Sequence, residues 1–195
     1  MAKIIFLSHP EVRVDPSVPV PRWSLSDQGE QRMRRFCIEG RAMRNVSSVF
    51  TSTEQKAVDC GRIANELLSI GHFTNDQLGE IDRSSTGYLP HLEHAEVSKK
   101  AFEYPERSIR GWEKAIDAQT RIKEALRIVW RDNKRPHGDV LIVSHGGVGL
   151  LLLCSCLNQE ISRKYAMQNA GGGCYFVIDS DTELVLASWE DMDAG

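Results

Sequence analysis

No hydrophobic run in this 195-residue chain is long enough to span a bilayer. The longest, Val148 to Leu157, reaches ten residues even with its glycine, serine and cysteines counted in, against about 20 for a membrane helix. It reads instead as a buried helix. Cysteine is scarce: five residues, an odd number without framework spacing, which argues for reduced thiols rather than a disulfide scaffold. No charge of one sign dominates, because the net charge is -3, so nothing in the overall balance asks for nucleic acid or an anionic membrane as partner. There is no internal repeat. A secretory leader is missing too, since Met1-Ala2-Lys3 leads into only four apolar residues before proline and charge, and a cytoplasmic location is the resulting expectation. What the chain does have is a composition of 41% apolar and 26% charged residues. That suits one globular domain over residues 1–195 with a core of its own.

Two stretches stand out from this background. Ile4-Ile5-Phe6-Leu7-Ser8-His9-Pro10-Glu11 is an apolar run closed by histidine and proline, which reads as a strand buried on both faces of a mainly parallel sheet. His9 then sits at the carboxyl edge of that strand, where open α/β sheets bind their ligands. Far down the chain, Asp139-Val140-Leu141-Ile142-Val143-Ser144-His145-Gly146-Gly147 repeats the pattern of buried run, serine, histidine and permissive break. Two imidazoles delivered to one edge could share a pocket, one as nucleophile and the other as electrophilic or proton-bearing partner.

Between them, residues 11–21 hold three prolines and no apolar period, a loop expected to wall the pocket. Ser26 is the expected N-cap of a helix ending near Gly40. Val46 to Ser52 reads as a second strand and Thr53 onward as a helix, which places Thr51-Ser52-Thr53 at a junction that favours anions, with Lys56 aimed at the same place. Gln77 to Arg83 reads as a third strand or its end. Residues 84–108 have no clean period and read as a solvated insertion over the pocket. Their His91, Glu93, His94 and Glu96 lack a third strong ligand run, and no metal is expected. Gly111 to Arg131 is an amphipathic helix, Pro136 and Gly138 punctuate, and residues 174–178 and 184–189 form an edge hairpin.

Taken in order, these fragments resemble the histidine phosphatase superfamily, whose best known branch is the cofactor-dependent phosphoglycerate mutases. The family's Arg-His-Gly-Glu is similar to Ser8-His9-Pro10-Glu11, and its Leu-Thr/Ser-x-x-Gly to Leu25-Ser26-Asp27-Gln28-Gly29. Its Ser-Ser-Pro-x-x-Arg-Ala resembles Thr51-Ser52-Thr53-Glu54-Gln55-Lys56-Ala57, its Leu-x-Glu-x-Asp resembles Leu78-Gly79-Glu80-Ile81-Asp82, and its Val-x-His-Gly-Gly resembles Val143-Ser144-His145-Gly146-Gly147. The resemblance implies a three-layer αβα sandwich around a mostly parallel sheet with an antiparallel edge strand. It also implies catalysis by His9, Glu80 and His145. His9 becomes a phosphohistidine, Glu80 serves as acid and then base, and His145 stabilises the phosphoryl oxygens together with backbone amides such as that of Gly146. No cofactor or metal is implied.

The departures fall on the charges. The family's two phosphate-gripping arginines stand here as Ser8 and Lys56, which lose the charge and the fork geometry respectively. A charged hydrogen bond is worth about 1.5 to 3 kcal/mol, so another cation should compensate. Arg13, Arg22 and Arg83 are the candidates, Arg13 being favoured for its nearness to His9, and Ser52 is a further substrate-binding candidate. The expected function is hydrolysis of a small-molecule or protein-borne phosphomonoester. A weakened or inactive relative that binds an anionic ligand or partner is the alternative, and mutase-type transfer a lesser one. The sequence sets no oligomeric state.

Overall fold

The computed structural model describes residues 2–132, 138–167 and 171–194; Pro136 lies outside them. Its centre is a six-stranded sheet of order β3-β2-β4-β1-β5-β6, built from β1 (Lys3–Ser8), β2 (Val46–Thr51), β3 (Gly71–Thr74), β4 (Asp139–Ser144), β5 (Cys174–Asp179) and β6 (Val185–Asp191). The first four strands run parallel. The β5–β6 hairpin joins through an antiparallel pairing of β5 with β1. The sheet is thus mostly parallel with antiparallel strands at one edge, flanked by helices on both faces.

The strand sequences explain the layers. Side chains alternate across a strand, and β1 has no polar residue between Ile4 and Leu7, so both of its faces must be covered. Ile4 and Phe6 pack with Val140 and Ile142 of β4 into one core, whereas Ile5 and Leu7 pack with Leu141 and Val143 into the other. The first core is closed by α3 (His91–Glu103), α4 (Ala115–Asp132) and α5 (Gly146–Cys156), the second by α1 (Asp27–Glu39) and α2 (Gln55–Leu68). In α5, Val148 through Cys154 are all buried, which accounts for the apolar run with no polar face. Among the described residues no helix is long and apolar enough to cross a membrane.

Ser26 caps α1, its hydroxyl accepting from the Gly29 amide at 3.1 Å. The third strand is not where the sequence places it. It is the short Gly71–Thr74, followed by a 3-10 turn at Asp76–Leu78, because the Asn75 side chain accepts the Gln77 amide at 2.9 Å and turns the chain before an alternating pattern can extend. Glu80 and Asp82 are therefore on an irregular segment. The stretch 84–108 is likewise not a wholly solvated insertion: it contains α3, whose Val97, Ala101 and Phe102 are buried.

Candidate active site

Parallel strands end together, and that is how distant residues meet here. Ser8 stands opposite Ser144, and Thr51 opposite Val143. The His9 amide then donates to the Ser144 carbonyl and the Ser52 amide to the Val143 carbonyl, each at 3.1 Å. His9, Ser52 and His145 all leave the same sheet edge. The two imidazoles are in edge contact, with ring centroids 5.2 Å apart and planes at 72°.

His9 is held from two sides. Its Nδ1 lies 2.8 Å from the Pro10 carbonyl, which as a donor contact leaves the Nε2 lone pair free to attack. Behind it, the Gly173 amide donates to the carbonyls of both Ser8 and His9 at 3.1 Å. Gly172 makes this approach possible: its φ is +73°, and a Cβ there would lie 2.2 Å from the His9 carbonyl oxygen. Burial, reinforced by the Lys56 and Arg83 charges, lowers the His9 pKa to about 4 against the opposing pull of Pro10 and Glu54. The imidazole is neutral at pH 7. His145 is pushed well below its ordinary value, chiefly by burial.

Glu80 meets the start of α5. One carboxylate oxygen accepts from the Val148 and Ile81 amides, at 3.0 and 2.8 Å, and the other from Gly147 at 3.0 Å. A helix start offers such free amides, and only glycine at 147 admits the carboxylate, because a Cβ would stand 2.5 Å from its Oε1. The turn carrying Glu80 is gripped by Arg121 of α4, which donates to the carbonyls of Gln77, Gly79 and Glu80 at 2.7, 3.0 and 3.1 Å and is itself paired with Glu113. The Ser144 hydroxyl adds a bond to the Leu78 carbonyl at 2.7 Å.

The cations are distributed otherwise than the sequence suggests. Lys56 is buried, and its ammonium is taken by the Glu54 carboxylate and, at 3.0 Å, by the Val20 carbonyl. The other Glu54 oxygen lies 3.2 Å from His145 Nε2, which also meets the Ser52 hydroxyl at 2.8 Å. Burial works against the charge on Glu54, but His145, Lys56 and the Glu80 amide outweigh it and hold the carboxyl at about 2. Arg13 is two-thirds exposed, pairs with Asp27 at 3.0 Å and does not line the cavity. Arg22 does not line it either.

The cavity above His9 has a volume of about 470 Å³ and is bordered by Ser8, Glu80, Arg83, Gly146 and Gly147 together with an apolar wall. Arg83 makes no ion pair among the described residues, and it is the one lysine or arginine among those lining the cavity. Ser52, Lys56 and His145 stand behind the lining rather than on it. Sequence reasoning gave no role to Glu54, Arg121, Phe102 or Trp112, and it weighed His94 only as a metal ligand, within a segment placed over the pocket. Glu54 had no motif of its own, and Arg121 shows only as a cation on an amphipathic helix.

Comparison with known proteins fits this geometry. Residues 18–191 match the histidine phosphatase superfamily (branch 1). The chain belongs to that superfamily. The matched stretch begins after His9 and does not include the first strand. No curated protein sequence matches. Among solved structures, YhfR from Bacillus stearothermophilus is similar over 97% of this chain and 96% of its own, with a TM-score of 0.75 and 20% identity. Mycobacterial glucosyl-3-phosphoglycerate phosphatase is similar over 98% of both chains, with a TM-score of 0.75 and 17% identity. Its complex with inorganic phosphate is similar over 97% of this chain and 95% of its own, with a TM-score of 0.72 and 16% identity. At such identities these likenesses establish the fold of this histidine phosphatase superfamily member, not its substrate.

Proposed function

We propose that this protein hydrolyses phosphomonoesters without a metal, through a phosphohistidine at His9. The observation that carries the reading is the neutral His9 imidazole, fixed through Nδ1 by the Pro10 carbonyl and opening onto a cavity that Glu80 and Arg83 also border. In the first half, His9 Nε2 forms a bond to phosphorus while the ester P–O bond breaks, and the leaving oxygen takes a proton from the Glu80 carboxyl. In the second, water attacks phosphorus and gives its proton to Glu80; the N–P bond breaks, and orthophosphate leaves. Arg83, the Ser8 hydroxyl and the amide of Gly146 hold the phosphoryl oxygens, with His145 behind them. That the structural relatives include a phosphatase crystallised with inorganic phosphate supports the same reading.

A second reading has its own observation. Lys56 is neutralised by Glu54, and the His145 Nε2 is engaged by Ser52 and Glu54, which favours a weakened member that binds an anion. One experiment separates the two: phenyl phosphate turnover in the presence of a chelator, with His9→Ala beside the parent. Catalysis predicts parent turnover that falls at least a thousandfold in the variant. Phosphate binding by calorimetry without turnover on a broad phosphomonoester panel would give the second reading the field, and turnover that needs a metal would end the mechanism.

A further inference from the structure

Above His9 the cavity changes character. Residues 94, 98 and 102 of α3 lie four apart, so they share one helix face, and His94, Ser98 and Phe102 all border the cavity. Trp112 completes that wall, its ring centroid 5.4 Å from that of His94 and its Nε1 donating to the Thr86 hydroxyl at 2.9 Å. Ile81 and Met167 add further apolar surface. Among the described residues, the polar side chains that α3 presents to the cavity are thus one imidazole and one hydroxyl, neither of them a fixed charge at pH 7. Arg83, the lone lining cation among the described residues, is required by the phosphoryl group if His9 is the nucleophile. A second anionic group on the alcohol half of a substrate would therefore enter an apolar wall unpaired, which is costly.

From this lining, and resting on the hydrolase reading above, we infer that the substrate is the phosphomonoester of an uncharged aromatic alcohol, its ring against Phe102 and Trp112. The volume suits a ligand of that size. Aromatic pairs gain more than their buried area alone supplies. The chemistry agrees, because an aryl oxygen, with a pKa of about 10, departs with less help from an acid than an alkyl oxygen does. A small aryl ester and a phosphotyrosyl side chain share this chemistry.

Binding separates recognition from leaving-group reactivity. Calorimetry with benzylphosphonate and 2-hydroxyethylphosphonate, neither of which can be hydrolysed at phosphorus by this route, should show the aromatic probe at least tenfold tighter. Phe102→Leu, which keeps the core apolar and close to its volume, should cut that ratio at least threefold with a melting temperature near the parent's. Val14→Asn, at the exposed rim of the cavity, is the variant that stays informative if Phe102→Leu unfolds; it should lower the same ratio. Comparing kcat/KM on phenyl phosphate with that on a phosphotyrosyl peptide then assigns the source, and preference for either over glycerol phosphate by at least tenfold supports the aryl class. Equal or tighter binding of the hydroxyethyl probe overturns the inference while leaving hydrolysis at His9 intact. Absence of both binding and turnover overturns the two together.

Discussion

His9 and Glu54 carry opposite lessons about single residues. A pKa of about 4 for His9 means that the reactive, neutral imidazole persists well below the ordinary histidine range. The acid limb of kcat/KM should fall near pH 4 rather than 6.5; a midpoint above 6 in a pH profile would contradict it. The sign for stability follows. Because the folded value lies below the unfolded one, the contribution is present above pH 6.5 and lost as pH drops from 6.5 through 4, to a total of about 3 kcal/mol for the buried His9. His94 is lowered to about 4 as well, by burial first and by Arg83, His91 and Arg163, so His94→Gln should flatten part of the melting-temperature decline over that range. Glu54, in contrast, consumes a charge that the site could have used. Glu54→Gln should release Lys56 toward phosphate, tightening orthophosphate binding about tenfold in calorimetry, at a stability cost of about 3 kcal/mol for breaking a buried pair. No gain in phosphate affinity would mean that Lys56 is out of reach of the ligand whatever its partner.

Among the elements, the start of α5 decides most. His145 links β4 to α5, Gly146 borders the cavity, and the amides of Gly147 and Val148 hold Glu80. One short junction therefore positions two of the three residues proposed to act. A methyl at 147 would collide with the Glu80 carboxylate. Gly147→Ala should then lower kcat about tenfold to hundredfold, since misplacement by about 1 Å can cost that much, while leaving the circular dichroism spectrum unchanged. Unaltered kcat would show that Glu80 works from another position. Of the elements themselves, those with a strong local pattern were legible: the doubly buried β1 and β4, the capped α1, and the hairpin. Gly71–Thr74 was not, because four residues carry too little alternation. The helix over 91–103 was missed because most of its residues stay exposed and only Val97, Ala101 and Phe102 mark the buried stripe.

At the scale of the whole molecule, Arg32 ties together segments far apart in sequence. Its guanidinium, almost fully buried, reaches Glu11 at 2.8 Å, Asp191 at 3.0 Å, Asp193 at 2.6 Å and the Gly172 carbonyl at 3.3 Å. It thereby joins the loop after His9, the glycine pair behind His9 and the end of β6. Burial works against its charge, but Glu11 and Asp193 raise its pKa and keep it ionised. Arg32→Met removes the cation and leaves carboxylates facing one another, for an expected loss of about 3 to 5 kcal/mol in urea unfolding. A loss below about 1 kcal/mol would show that the network is solvent-relaxed. Activity should fall too, because the backbone of residues 9–11 and 172 shares this anchor.

Local sequence was enough to settle the alternation of core faces, the histidines at strand ends, the glycines after His145 and the capped helix. Each of these depends on neighbours within a turn or a strand, where side-chain period and backbone freedom act directly. Which cation meets which anion was decided only by tertiary structure. Arg13, nearest to His9 in sequence, ends on Asp27; Lys56 ends on Glu54; and Arg83 is the one left facing the cavity. Charge pairing depends on distance through space, and the loops that set those distances have no period from which they could be read.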